Sequence, residues 1–212
     1  MQTNDLIAEL SGRAAPRNGG FVLPLWLAAA VAPLLAFAVF MPLLGPRPDA
    51  IASLTTLRFV MKFVEAGLLF AAALGLLAAL ARPARPWRDR LWLLLCPAAL
   101  LLTAVAVELV VVPADLREVR AIGGNAMNCL IAIPTMGAPV LLLLLFALSC
   151  QAPTRPALTG AVAGLASAGI SAFFYAAHCP DDSPLFVAMW YPMATLVLVA
   201  AGACAGSRLL RW

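Results

Sequence analysis

Residues 126–150 read AMNCLIAIPTMGAPVLLLLLFALSC, a run of 25 residues without a charged side chain. A helix needs about 20 predominantly apolar residues to cross the hydrocarbon layer of a bilayer. A surface helix of a soluble protein keeps a polar face toward water, and this run has none. The stretch therefore predicts a transmembrane helix.

Five more apolar stretches flank this one, separated by short connectors that contain proline, glycine and arginine. The six predicted spans are about 21–44, 58–80, 91–112, 126–150, 157–178 and 185–208. The chain is 64% hydrophobic and 11% charged, whereas soluble proteins are roughly 25% charged. We expect an all-α fold, a six-helix transmembrane bundle over 21–212 after a tail of residues 1–20. The first span is long and no soluble domain follows it, so it is interpreted as a retained helix rather than a cleaved signal peptide.

Lysine and arginine are distributed unevenly between the two sides of the predicted bundle. Of 14 basic residues, nine lie in the tail, the second and fourth connectors and the C-terminus. These are Arg13, Arg17, Arg82, Arg85, Arg88, Arg90, Arg155, Arg208 and Arg211. The positive-inside rule places this side, with both termini, in the cytoplasm of a bacterial inner membrane. The net charge of +4 thus reflects topology, and no nucleic-acid partner is expected.

The N-terminal tail contains a short amphipathic pattern. Leu6, Ile7 and Leu10 share one helix face, and Asp5 sits near the positive end of that helix. A partner protein can bind such a stripe in a groove. The alternative is a segment that lies on the membrane surface or frays, because so short a helix is marginal alone.

The topology divides the five cysteines into two groups. Cys96, Cys150 and Cys204 fall near the cytoplasmic ends of their spans, whereas Cys129 opens the fourth span and Cys179 closes the fifth at the outer side. A thiol facing the oxidising periplasm can form a disulfide or bind a soft metal. Cys129 and Cys179 are therefore the candidate sensing pair, and the alternative is that both are simply small apolar residues in helix packing.

Residues next to Cys179 bear on its reactivity. His178 is the only histidine, and Asp181 and Asp182 follow closely. An imidazolium would lower the pKa of the thiol and carboxylates would raise it. The sequence leaves the net effect open.

Four ionisable residues lie inside the predicted spans. Arg58, Lys62 and Glu65 share one face of the second span, where Glu65 can pair with Lys62, and Glu108 lies near the outer end of the third. Such groups are costly in a membrane and often functional. A transporter would use them as a relay, whereas a paired or snorkelling group is structural.

The sequence lacks the common signatures of enzymes. It has no Gly-x-Ser-x-Gly, no His-Glu-x-x-His and no phosphate-binding glycine loop, and one histidine cannot build a multi-histidine metal centre. The absence of Cys-x-x-Cys weakens a thiol oxidoreductase. No catalytic residues and no cofactor are expected.

Small residues gather on one face of the fifth span. Gly160, Gly164 and Gly169 are surrounded by alanines. This small-x-x-x-small pattern predicts close helix packing, within the chain or between copies in a homo-oligomer.

Several short sequence motifs, taken together, resemble those of one protein family. They are Asp5-Leu6-Ile7, Gly45-Pro46-Arg47-Pro48-Asp49, Arg58-Phe59 with Lys62, Cys129, Pro153-Thr154-Arg155-Pro156, His178-Cys179-Pro180-Asp181-Asp182-Ser183, Trp190-Tyr191 and Leu209-Leu210-Arg211-Trp212. In this order and spacing the chain resembles, over nearly its full length, the NrsF family of bacterial membrane anti-sigma factors.

The resemblance implies an inner-membrane negative regulator that holds an extracytoplasmic-function (ECF) sigma factor of the SigF type at the cytoplasmic face. It also implies that Cys129 and Cys179 sense oxidative or heavy-metal stress and release the sigma factor. The tail residues Asp5, Leu6, Ile7 and Leu10 are the candidate contacts for it. A small transporter that uses Glu65 or Glu108, and a membrane thiol redox protein, are the alternatives.

Overall fold

The computed structural model describes residues 23–82, 86–151 and 153–211, which form a bundle of helices without a β-strand in these ranges. The long helices are α1 (Leu23–Leu43), α2 (Leu57–Leu80), α3 (Leu95–Val111), α4 (Ala126–Ser149), α5 (Pro156–His178) and α6 (Pro184–Leu209). A 3-10 segment, Arg88–Leu94, leads into α3, and shorter helices occupy Ala50–Ser53 and Ala114–Ile122. Within these ranges six helices are long and apolar enough to cross a membrane, which confirms the all-α class and the predicted number of long apolar helices.

Local sequence signals set several helix ends. The Ser183 hydroxyl accepts a hydrogen bond from the Leu185 N–H at 3.3 Å, and Pro184 occupies the first position of α6. Pro156 opens α5 in the same way. The helix Ala114–Ile122 ends at Gly123, whose φ of 59° is a conformation that favours glycine.

Helix α5 is the centre of the bundle and packs on α1, α2, α4 and α6. Its glycines allow the backbones to touch: a Cβ at Gly160 would lie 2.0 Å from the Gly202 carbonyl oxygen, and one at Gly164 would lie 2.2 Å from that of Leu198. A Cβ at Gly169 would lie 2.7 Å from the Phe70 nitrogen on α2. The small-residue face predicted for this helix is thus used within the chain.

Large apolar side chains cover the outside of the bundle. Leu34, Leu142, Phe146 and Val110 are 68%, 64%, 72% and 86% exposed. Helix α3 is the most peripheral, and within it only Pro97 and Glu108 are buried. An exterior of this kind suits contact with lipid rather than with water.

The two ends of the bundle differ in character. The first turns of α2, α4 and α6 meet the last turns of α1, α3 and α5 at one end, here called the cysteine end because Cys129 and Cys179 lie there. The opposite end, here called the basic end, carries Arg82, Arg88 and Arg155. Cation–π contacts place the Arg88 and Arg155 guanidiniums 5.7 and 5.2 Å from the Trp87 ring.

Candidate functional site

The candidate sensing cysteines are both completely buried at the cysteine end, with 0% exposure. Cys129 lies in the first turn of α4, where its N–H donates to the Asn125 carbonyl at 2.9 Å. Cys179 follows α5 directly, and its N–H donates to the Tyr175 carbonyl at 3.0 Å. Both thiols are free. Cys96, Cys150 and Cys204 are exposed instead, so burial divides the five cysteines into the same two groups as the predicted topology.

Asp181 ties the loop after Cys179 to the beginning of α4. Its Oδ2 accepts hydrogen bonds from the Gly124 N–H at 3.1 Å, the Asn125 N–H at 2.9 Å and the Asn125 side-chain amide at 3.2 Å. A carboxylate is favourable at a helix N-terminus, where free N–H groups and the helix dipole meet it. Because Asn125 is also the backbone partner of Cys129, Asp181 fixes one cysteine relative to the other.

Asp182 and the Cys179 carbonyl share two cations. The Lys62 ammonium lies 2.6 Å from Asp182 Oδ1 and donates to the Cys179 carbonyl at 2.9 Å. The Arg47 guanidinium reaches Asp182 at 3.0 Å and the same carbonyl at 3.2 Å. Lys62 is only 2% exposed, and both cations lie over the Phe59 ring. Charges this deep are tolerated because each has a partner of opposite sign.

Glu108 forms a second charged cluster at the same end. Its carboxylate accepts from Arg58 at 2.7 Å, Arg120 at 3.0 Å and the Ser183 hydroxyl at 3.2 Å. Glu108 is only 3% exposed. Through these three partners it connects α3 to α2, to the helix Ala114–Ile122 and to the start of α6. The geometry is that of a structural junction.

The ion pair expected between Lys62 and Glu65 is not formed. Side chains on an α-helix lean toward its N-terminus, and the N-terminus of α2 lies at the cysteine end. Lys62 therefore extends toward Asp182 and away from Glu65. Among the residues that the structure describes, Glu65 has no ion pair, and it lines a cavity of about 220 Å³ between α2, α3, α5 and α6.

His178 stands beside Cys179 in sequence but makes its hydrogen bond elsewhere. Its Nδ1 lies 3.0 Å from the carbonyl oxygen of Gly45, and since a carbonyl only accepts, the ring donates from that nitrogen. His178 thus holds the end of α1 against α5. The charges that act on the Cys179 thiol are those of Lys62 and Asp181.

The reactivity of Cys179, left open by the sequence, is set mainly by burial. Burial raises the pKa of its thiol above the usual value, and the Lys62 ammonium opposes that rise. The Cys179 thiol donates to the Asp181 carbonyl at 3.8 Å, and the Tyr175 hydroxyl donates to the Asn125 carbonyl at 3.3 Å. The resting thiol is thus protonated and enclosed.

Ligands for a metal ion are few at this site. Within the described ranges, no three histidine, cysteine, aspartate or glutamate side chains gather in a way that could hold a metal ion. The two thiols are the soft ligands present. The tail residues Asp5, Leu6, Ile7 and Leu10 lie outside the described residues.

Sequence reasoning missed several members of this site. Arg47 is not among the predicted site residues, although its side chain is 8% exposed and it contacts Cys179, Asp182 and Asp49. The arginine inside the Gly45-Pro46-Arg47-Pro48-Asp49 motif was the available signal. Tyr175 and Asn125 gave no signal because their contacts depend on how α4 and α5 pack.

Comparison with known proteins decides the family. A family model described as "Negative regulator of sigma F" (NrsF) matches residues 10–212. The chain belongs to the NrsF family. The resemblance seen in the sequence is thereby confirmed.

Two relatives carry the same family name. The anti-sigma-F factor NrsF of Caulobacter vibrioides is 34% identical over an alignment of 220 residues that covers 100% of both chains. The probable anti-sigma-F factor NrsF of Azospira oryzae is 32% identical over 223 residues, again with 100% of both chains covered. No solved structure matches the chain. Membership in a family of negative regulators favours a regulatory role over an enzymatic one for this NrsF-family chain.

Proposed function

We propose that this NrsF-family chain is an anti-sigma factor embedded in the bacterial inner membrane with both termini in the cytoplasm. It binds an ECF sigma factor of the SigF type at its cytoplasmic face and releases it when Cys129 and Cys179 react with an oxidant or a heavy metal. The observation that carries the proposal is the pair of enclosed cysteines, whose two segments Asp181 joins, in a chain whose relatives are named anti-sigma-F factors.

The bundle itself supports the membrane location. Its six apolar helices have an apolar exterior, whereas its charged clusters gather at the ends. Most of the arginines that the structure describes lie at the basic end, as the positive-inside rule requires of a cytoplasmic face. The cysteine end then faces the periplasm, where thiols are oxidised or exposed to metal ions.

Reaction at the thiols changes the packing of α4 against α5. A two-electron oxidant takes two electrons and two protons from the thiols as the disulfide forms, whereas a soft metal ion displaces the two protons and binds two thiolates. Either product replaces two separate, enclosed side chains by one rigid link. Because packed helices shift between discrete arrangements rather than deforming gradually, the link favours a second packing that presents the basic end differently.

The tail provides the second part of the proposed sigma-binding surface. Asp5 and the apolar stripe of Leu6, Ile7 and Leu10 would meet the sigma factor together with the basic end. Release requires the two packings to differ in affinity for it by about 1–3 kcal/mol or more.

The test follows sigma-dependent transcription under oxidant and under a soft metal salt. Replacement of Cys129 or Cys179 by serine is expected to abolish the response, because one remaining thiol forms neither the link nor a two-thiolate site. The matched control is Cys204→Ser, which removes an exposed thiol and should respond normally. Reversal by a dithiol or by a chelator then distinguishes a disulfide from a bound metal.

A normal response in both Cys129→Ser and Cys179→Ser would reject the sensing role. Binding is tested separately, by co-purification of the sigma factor with the full chain from membranes. Loss of that complex on addition of oxidant is the expected result. Failure to recover any complex in the absence of stress would reject the anti-sigma role itself.

One observation favours transport as a second candidate function. Glu65 lacks an ion pair within the described part of the chain and lines the 220 Å³ cavity, which is the position of a coupling group in a transporter. For the regulator, Glu65→Gln should leave the transcriptional response intact. Substrate flux in vesicles that disappears in Glu65→Gln would favour the transporter.

A further inference from the structure

The attachment of α2 to the sensing loop depends on one side chain. Lys62 contacts the Cys179 carbonyl at 2.9 Å, the Asp181 carbonyl at 3.4 Å and the Asp182 carboxylate at 2.6 Å. All three oxygens belong to the segment from Cys179 to Asp182. Among the described residues, Lys62 makes the only hydrogen bonds and ion pair from α2 to that segment.

Arg47 shares two of these acceptors but is anchored in a different way. It also pairs with Asp49 at 3.1 Å and hydrogen-bonds the Ser53 hydroxyl, so it keeps partners within its own connector if Asp182 moves away. Lys62 has no second hydrogen-bond or ion-pair partner on α2 itself among the described residues. A buried ammonium without acceptors is strongly destabilising. A movement of the segment from Cys179 to Asp182 must therefore also displace the Lys62 side chain.

The Cys179 side chain is enclosed by its neighbours. With 0% exposure, its sulfur is out of reach of a metal ion or an alkylating reagent from outside while the surrounding segment keeps its place. Such a reaction must displace Cys179 and with it the carbonyl that Lys62 binds. Helix α2 packs along α5 and runs from this contact to Leu80, at the basic end.

We propose that Lys62 is the positioning residue that keeps Cys179 enclosed and links the state of that thiol to helix α2. Its role in signalling, though not in enclosing the thiol, rests on the proposed function. In the resting state Lys62 holds the segment closed. After reaction at Cys179 it releases the segment, and α2 carries the change to the basic end.

The experiment measures alkylation of Cys179 by membrane-permeant N-ethylmaleimide in the full chain reconstituted in lipid nanodiscs. Peptide mass spectrometry gives the rate at Cys179 relative to the exposed Cys204 of the same molecule. The rate at an enclosed thiol reports how often the segment opens. Lys62→Met, which keeps an unbranched side chain without the charge, is expected to raise the relative rate about tenfold or more, and Lys62→Arg should reverse most of that rise.

Arg58→Met is the matched control, because Arg58 lies one turn earlier on α2 and pairs with Glu108 rather than with the Cys179 segment. It should change the relative rate far less than Lys62→Met. If Lys62→Met does not fold, Asp182→Asn removes the same ion pair while keeping the side-chain shape, and it should raise the rate to a smaller extent.

Two results would overturn the proposal. One is an unchanged relative rate at Cys179 in folded Lys62→Met or Asp182→Asn, and the other is an equal rise in Arg58→Met, which would indicate general loosening.

Hydrogen exchange tests the link to α2: exchange in α2 should rise on alkylation of wild type, and in Lys62→Met it should be raised already. These measurements need no sigma factor, so failure of the sensing role in the transcription assay is a separate outcome.

Discussion

At the scale of the residue, the buried carboxylate of Glu108 holds Arg58 and Arg120 at one junction of the bundle. Its removal should therefore lower the stability of the fold. Glu108→Gln leaves the Arg58 and Arg120 guanidiniums without a negative partner, but they are 44% and 36% exposed and water partly compensates. We expect a loss of about 1–2 kcal/mol in the free energy of unfolding. Thermal unfolding in detergent measures it. Glu118→Gln, at an exposed glutamate, is the control and should be neutral; equal stability of both variants would contradict the junction.

Single residues also show where sequence reasoning stops. The position of Cys129 and Cys179 at one end of the bundle followed from the order of the spans, because consecutive helices alternate in direction. The ion pair of Lys62 could not be predicted in this way. Helical spacing indicated Glu65 as the partner, whereas the side chain points toward the N-terminus of α2 and reaches Asp182. Glu108 and Arg120 are 12 residues apart and meet only because the helix Ala114–Ile122 folds back, which no periodicity indicates.

At the scale of the element, close contact between α5 and α6 depends on glycine. A Cβ at Gly164 would lie 2.2 Å from the Leu198 carbonyl oxygen, so Gly164→Ala must push the two helices apart. A loss of about 1–3 kcal/mol in the free energy of unfolding is expected. The control is Gly67→Ala on α2, where a Cβ would lie 3.8 Å from the Phe173 ring. The free energy of unfolding of this variant should rise by up to about 1 kcal/mol because alanine has the higher helix propensity. Unfolding in detergent compares the two, and a stable Gly164→Ala would contradict the packing.

Elements differ in how much of them the sequence could predict. Long uncharged runs bounded by proline and glycine predicted the six apolar helices, because a bilayer demands length and apolarity together. The small-residue face of α5 was predicted, but its partner was not, since the pattern is the same for a neighbouring helix and for a second copy. The 3-10 segment Arg88–Leu94 and the helix Ala114–Ile122 were missed, because short polar segments between spans carry only weak helix signals.

At the scale of the whole molecule, sidedness connects every part of the proposed mechanism. The bundle has one end with the enclosed pair Cys129 and Cys179 and one arginine-rich end, and only one orientation places the pair on the periplasmic side and the arginines on the side of a cytoplasmic sigma factor. Lysine and arginine counts predict that orientation because the charges of short loops resist translocation.

The orientation can be measured with an impermeant maleimide in cells whose outer membrane is permeabilised. Thr55→Cys places a reporter at an exposed position of the cysteine end, and the native Cys150 is exposed at the basic end. We expect labelling at position 55 in intact cells, and labelling of Cys150 only after the inner membrane is broken. Cys129 and Cys179 should stay unlabelled in both because they are enclosed. The reverse pattern would place the thiols in the reducing cytoplasm and the arginines outside, and neither sensing of periplasmic stress nor contact of the basic end with a cytoplasmic sigma factor would then be physically available.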